Sequence, residues 1–154
     1  GLSGNLLDKF HTGCFDIVLV KTRTSTQQAM PLMADPLVWV TTREAPDLCK
    51  QRPLPLALHP EPSVSRSMAL EALTAAHIPF VITHTSLSIT GLRAGVIAGL
   101  GVSVFGRHFI PDGVKIIDTL TAGLPTLSDF PFSLEYQKTN PDNQAVDALI
   151  RAFH

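Results

Sequence analysis

Aromatic residues are scarce in this 154-residue sequence, at 6%, while the apolar fraction reaches 45%. Aliphatic residues and alanine supply most of it, the composition of a globular chain rather than a disordered one. Strong charge of either sign is missing as well. The formal net charge is -1, and the 12 lysines and arginines are scattered without a run that could track phosphates, so no nucleic-acid footprint is expected in this chain. Cysteine is limited to Cys14 and Cys49, which carry no partner motif and are expected to be reduced. The opening GLSGNLLDKF shows no basic segment followed by an apolar run, hence no export signal is read in it. A membrane span is not expected either. The most apolar stretch, Ile89 to Phe105, carries Arg93 and is rich in glycine, well short of the ~20 apolar residues a spanning helix needs. The expectation is a soluble cytoplasmic protein of one domain or two small lobes.

Catalytic and metal signatures are absent too. The six histidines (His11, His59, His77, His84, His108 and His154) give no ligand pair at metal spacing, and no cysteine stands near two of them, so no metal is expected. No G-x-S-x-G elbow or local cysteine signature is present. The glycines Gly91, Gly95, Gly99, Gly101 and Gly106 do not form a dinucleotide fingerprint, because they follow a helix and precede a strand. Close helix packing at Gly91 and Gly95 and a tight turn at Gly99 and Gly101 account for them. No cofactor and no enzymatic activity are expected.

What is present is an alternation of helices and strands. Leu2, Leu6, Leu7 and Phe10 lie on one face of a short helix, ended by Gly13. Strands are expected at 15–20, 36–41, 54–59, 78–83, 102–105, 114–117 and 132–137. Helices are expected from Ser63 or Ser65 to about His77, from Ser86 or Ser88 to Leu100, and after Asn140-Pro141-Asp142. The strands are continuous apolar runs, which indicates an α/β fold with mainly parallel sheets buried on both faces.

Polar residues collect at the C-terminal ends of these strands: Lys21 and Thr22; His59, Ser63 and Ser65; His84, Thr85 and Ser86. Ligands of open α/β sheets gather outside the carboxyl ends of strands, near helix N-termini that offer free N–H groups. Serine caps helices everywhere, yet two helix starts opening beside each other also suit a small anion. Arg66, one turn into the helix after Ser63, either reaches such a cleft or forms a solvent-facing salt bridge.

In order, these segments resemble the effector-binding domain of bacterial LysR-type transcriptional regulators. GLSGNLLDKFHTGCFDIVLV matches a helix with paired leucines, a glycine, then an aspartate before an apolar strand. PLPLALHPEPSVSRSMALEALTAAHIPF matches strand, cleft loop and helix, with an arginine after the loop. THTSLSITGLRAGVIAGLGVSVFGRHFIP looks like the family's helix ending in an A-G-L-G turn and strand. A proline often follows that strand in the family, where this chain has Gly106.

The resemblance implies an α/β fold like that of type 2 periplasmic binding proteins, with two lobes joined by crossover strands. Lobe I, incomplete, would comprise residues 1–35 and 115–154, and lobe II residues 36–114. By comparison with typical α/β unit lengths, on the order of 40 residues of lobe I are missing at the start. The DNA-binding winged helix-turn-helix is absent from this chain. The implied partners are a small-molecule effector in the inter-lobe cleft, DNA through the absent N-terminal part only, and further copies in a dimer or tetramer. Effector contacts are expected from Lys21, Thr22, His59, Ser63, Arg66, Thr85 and Ser86, with a hinge at Val40 and Thr41. Hydroxyls and a lysine suit a carboxylate or another small anion, and walls from Leu87 and Phe105 suit an aromatic acid equally. The alternative is a solute-binding protein of a transport system.

Overall fold

The computed structural model describes residues 3–21, 29–136 and 144–152. Two compact units divide the chain, Gly1–Ala34 with Phe130–His154 as unit 1 and Asp35–Asp129 as unit 2. Unit 1 opens with helix α1 (Ser3–His11), followed by strand β1 (Ile17–Lys21). Strand β7 (Asp129–Tyr136) returns antiparallel to β1, in a register that sets Ile17 opposite Tyr136 and Leu19 opposite Leu134. Helix α5 (Gln144–Ala152) closes the chain. The α1 face read from the sequence packs as expected, with Phe10 buried against Val18 and Val20, and Leu6 and Leu7 alongside. The Asn140-Pro141-Asp142 cap lies outside the described residues.

Unit 2 is built from the second part of strand β2 (Ala29–Thr42), then β3 (Leu54–Leu58), helix α2 (Val64–Ala75), β4 (Phe80–Thr85), helix α3 (Ile89–Ile97), β5 (Ser103–Gly106), β6 (Val114–Ile116) and the short α4 (Thr119–Ala122). Strand β3 is buried along its whole length. It pairs parallel with β4, and Leu56 bridges in parallel to Val102 on the other side. Helix α3 packs on β3 and α2 on β5. The core gathers Val38, Val40, Ala57, Leu92, Val96, Phe105 and Val114.

Two features differ from the sequence reading. The ladders β1–β7, β2–β5 and β2–β6 are antiparallel, whereas β3–β4 is parallel. Continuous apolar runs mark a strand covered on both faces, which β3 is, and carry no information about the direction of its neighbour. Strand β4 alternates, with Val81, Thr83 and Thr85 exposed. Residues 115–129, expected with lobe I, belong to the compact unit formed by 35–129. Their backbone explains why: β6 continues β2's ladder, Ile117 N–H donates to Trp39 O at 2.9 Å, and the Trp39 indole Nε1–H donates to Pro125 O at 2.8 Å.

The glycine-rich segment behaves as a packing device. A Cβ at Gly95 would enter the His84 ring, and one at Gly91 would enter the Ser86 side chain. Gly101 backs onto Ala57 N, where a Cβ would come within 2.7 Å. Gly99 takes the left-handed conformation, φ 73°, that ends α3.

Candidate functional site

The parallel pairing of β3 and β4 sets Leu58 opposite Thr85, so both strands end on the same side and the loops that follow them meet. His59 is the joint between those loops. Its Nδ1 lies 2.7 Å from Ser86 O. A carbonyl only accepts, so Nδ1 carries the proton and Nε2 of the neutral ring is left as an acceptor. Ser86 N–H in turn reaches Leu58 O at 3.4 Å.

Arg66 holds the other side of His59. Its Nη1 donates to His59 O at 3.2 Å, and its Nε lies 3.6 Å from Glu61 Oε1. That separation makes an ion pair but no hydrogen bond, and Nε is buried without a hydrogen-bond partner. The Arg66 side chain is only 15% exposed. Arg66 thus forms an ion pair, as one of its two sequence readings expects, and it does so within the loop cluster rather than in solvent.

Ser63 caps α2, with its Oγ accepting from Arg66 N at 3.4 Å and lying 3.2 Å from Ser65 Oγ. On α3 the cap is Ser88, whose Oγ accepts from Gly91 N at 3.0 Å. Ser86 braces that cap: its Oγ accepts from Ser88 N at 3.2 Å and donates to Ser88 O at 3.1 Å. His59, Ser63, Arg66 and Ser86 thus come together, and Thr85 stands exposed at the β4 end. The cluster offers hydroxyls, a partly buried guanidinium, an imidazole acceptor and the first N–H groups of two helices. That is the chemistry of small-anion recognition. Glu61 escaped the sequence reading, and Ser88, one of the two caps expected for α3, is the one that caps it. For Glu61, a charge three residues past β3 was the available signal.

The remaining expected residues are placed differently. Lys21 ends β1 opposite Phe132, its side chain is outside the described residues, and so is Thr22. Val40 and Thr41 are fully buried inside unit 2. Val40 is paired on both sides, with Ser103 and Ile116, and Thr41 pairs with Lys115. Two ladders hold Val40 and one holds Thr41, while the chain passes between the compact units at Ala34/Asp35 and Asp129/Phe130. Thr41 instead borders a small cavity of about 280 Å³ beside Asp47 and Lys50, which pair at 2.8 Å on the surface. The Lys50 ammonium, by hydrogen bond and then by charge, holds the Asp47 carboxyl below its ordinary range, and Lys50 is raised in return. Leu87 is 73% exposed and free to line a ligand, whereas Phe105 is 5% exposed and packs in the core. Among the described residues no cluster of three metal-ligating side chains occurs, and no helix is long and apolar enough to cross a membrane.

Comparison with known proteins agrees with this architecture. The transcriptional regulator PecT of Dickeya dadantii is 28% identical over 153 residues, covering 98% of this chain and 47% of its own length. The chain thus spans about half of that relative. Among solved structures, the CcmR regulatory domain of Synechocystis, in complex with 2-PG, matches with a TM-score of 0.78 at 11% identity, over 99% of this chain and 78% of that one. The regulatory domain of the HypT M206Q mutant from Salmonella typhimurium matches with a TM-score of 0.78 at 18% identity, over 99% and 80%. At such identities the likeness carries the fold alone, two α/β lobes of the periplasmic-binding-protein type. The model of the LysR substrate binding domain matches residues 1–154, and the chain belongs to that family.

Proposed function

We propose that this domain senses a small anionic metabolite on behalf of a bacterial LysR-type transcription regulator, and that it does so without catalysis. One observation carries the reading. His59 ties the loops after two parallel strands together, through its ring to Ser86 O and through its carbonyl to Arg66, at the strand ends where α/β sheets take ligands. The effector is a carboxylate or similar small anion, met by Ser63, Thr85, Ser86 and the guanidinium of Arg66. The His59 Nε2 acceptor favours an effector that also offers a donor. Lys21 and Thr22 are proposed as further contacts. In the intact cytoplasmic regulator, a dimer or tetramer, DNA would be bound by a segment other than this one. Effector binding would shift the population of regulator conformations by its differential affinity for them.

A thermal-shift screen against small carboxylates tests this. An effector at ~100 times its dissociation constant adds about 2.7 kcal/mol, roughly 5–10 °C for a chain of this size. With a hit in hand, Ser63→Ala and Ser86→Ala should each weaken binding about five- to tenfold, the loss of one neutral hydrogen bond or slightly more. Unchanged affinity in both variants would remove the effector from this cluster.

A further inference from the structure

Unit 2 contains a larger cavity that none of the expected effector residues lines. It holds about 510 Å³ between β2, β6 and the segment at Thr126, within the ~300–1,000 Å³ range of small-molecule pockets. Its accessible apolar lining is Pro36, Leu127 and Ile116, the last 39% exposed, while Trp39 and Ile117 border it and are themselves buried. Four polar residues border it: Arg107, Asp118, Thr119 and Thr126.

Arg107 and Asp118 differ in how far they are already engaged. Asp118 Oδ1 accepts from Leu120 N at 3.1 Å. Arg107 is exposed, and among the described residues its side chain has no hydrogen-bond or ion-pair partner. Its backbone is nonetheless fixed. The next residue, His108, donates both N–H and Nδ1–H to the fully buried Asp35, at 3.1 and 2.8 Å. An unpaired guanidinium on an anchored turn, at the rim of an apolar cavity, is arranged for a planar carboxylate.

We propose that this cavity is a second small-molecule site, for a monocarboxylate with an apolar body, separate from the His59 cluster. The carboxylate pairs with Arg107 and the body packs against Ile116 and Leu127, with Trp39 buried at the border of the cavity. Asp118 sets the selectivity: a ligand with a second negative charge meets it unfavourably, so phosphates and dicarboxylates are excluded. The proposal stands independently of the function assigned to the His59 cluster.

Trp39 is the only tryptophan of the sequence and borders this cavity, so its fluorescence reports on it. The chain is titrated with cyclohexanecarboxylate, cyclohexanecarboxamide and inorganic phosphate, with calorimetry in parallel. The carboxylate should give a saturable change in Trp39 emission matched by binding heat, and the neutral amide and phosphate should not compete. Arg107→Gln, at an exposed position that leaves folding intact, should weaken the carboxylate about tenfold or more, the loss of one charge-assisted contact. His59→Ala should leave its affinity unchanged. Absence of both signals, an Arg107→Gln variant that binds as tightly as the parent, or binding abolished by His59→Ala would each overturn the proposal. The last outcome would assign the ligand to the strand-end cluster instead.

Discussion

Replacing Gly106 by alanine should destabilise the domain far more than its backbone suggests. Gly106 has φ -66° and ψ 137°, a conformation open to any residue and close to that of proline. The glycine is there for space. A Cβ would fall inside the van der Waals envelope of Asp35 Oδ2 and come within 2.7 Å of Asp35 Cγ. Asp35 has nowhere easy to go, since it is fully buried and its Oδ1 already accepts two hydrogen bonds from His108. Hydrogen bonds to a charged group contribute about 1.5–3 kcal/mol each. A partial retreat of the carboxylate that loses one of them costs about 2–3 kcal/mol, a fall in melting temperature of roughly 4–12 °C for a chain of this size. The assay is a double-mutant cycle by thermal and urea unfolding. Asp35→Ala removes the obstacle, so Gly106→Ala made in that background should cost no more than about 0.5 kcal/mol, giving a coupling of about 2 kcal/mol. Additivity of the two substitutions, or a Gly106→Ala variant that melts with the parent, would refute the packing argument.

Trp39→Phe should cost about 1–3 kcal/mol, read by urea unfolding, because Pro125 O loses the indole donor at 2.8 Å and Phe leaves part of the site unfilled. His77 holds φ 54° after α2, where its N–H reaches Thr74 O and Ile78 N–H reaches Leu73 O. Glycine fits this C-terminal position without strain, so His77→Gly should raise the melting temperature by roughly 1–4 °C, for about 0.5–1 kcal/mol. Lys50→Ala should leave the melting temperature unchanged at neutral pH, since its pair with Asp47 is solvent-exposed. With the Asp47 carboxyl held below its ordinary range, the pair acts above the unfolded carboxylate pKa and is lost as pH falls through the folded one. Comparing parent and Lys50→Ala across an acid titration, any difference in unfolding midpoint should be within error at neutral pH and should vanish below the folded carboxylate pKa.

How far the sequence could be read depends on which physical signal each element carries. The α1 stripe of Leu6, Leu7 and Phe10 and the glycine turn after α3 are local, and both appear where periodicity and backbone chemistry put them. Strand direction is not local. The apolar run Leu54–Leu58 and the run Pro36–Thr41 look alike in sequence, yet β3 pairs parallel with β4 and β2 pairs antiparallel with β5 and β6. The extent of the second compact unit was hidden for the same reason. What attaches residues 117–125 to β2 is a backbone hydrogen bond from Ile117 and an indole hydrogen bond across 86 positions, neither of which leaves a periodic trace.

The strand-end rule located the His59 cluster because its one premise, parallel neighbours, holds for β3 and β4. Parallel strands finish on the same edge, so the residues that follow them, His59 and Ser86, are brought within a hydrogen bond although 27 positions apart. The same premise fails for β1, whose partner β7 runs the other way, so the end of β1 faces the middle of a strand rather than a second strand end. Lys21 and Thr22 entered the expected contacts by the same strand-end rule as His59, Ser63 and Ser86, but at β1 the rule lacks the parallel neighbour that it has at β3 and β4. Arg66 falls between: its position one turn into α2 follows from the cap at Ser63, but its use does not. Its Nη1 is spent on His59 O, and its buried Nε lacks a hydrogen bond. Its use by an effector belongs to the function proposed for the cluster. With Nη1 holding His59 O and Nε set 3.6 Å from the Glu61 carboxylate, the guanidinium braces this loop first, because a buried donor already facing an anion gains little from a second one.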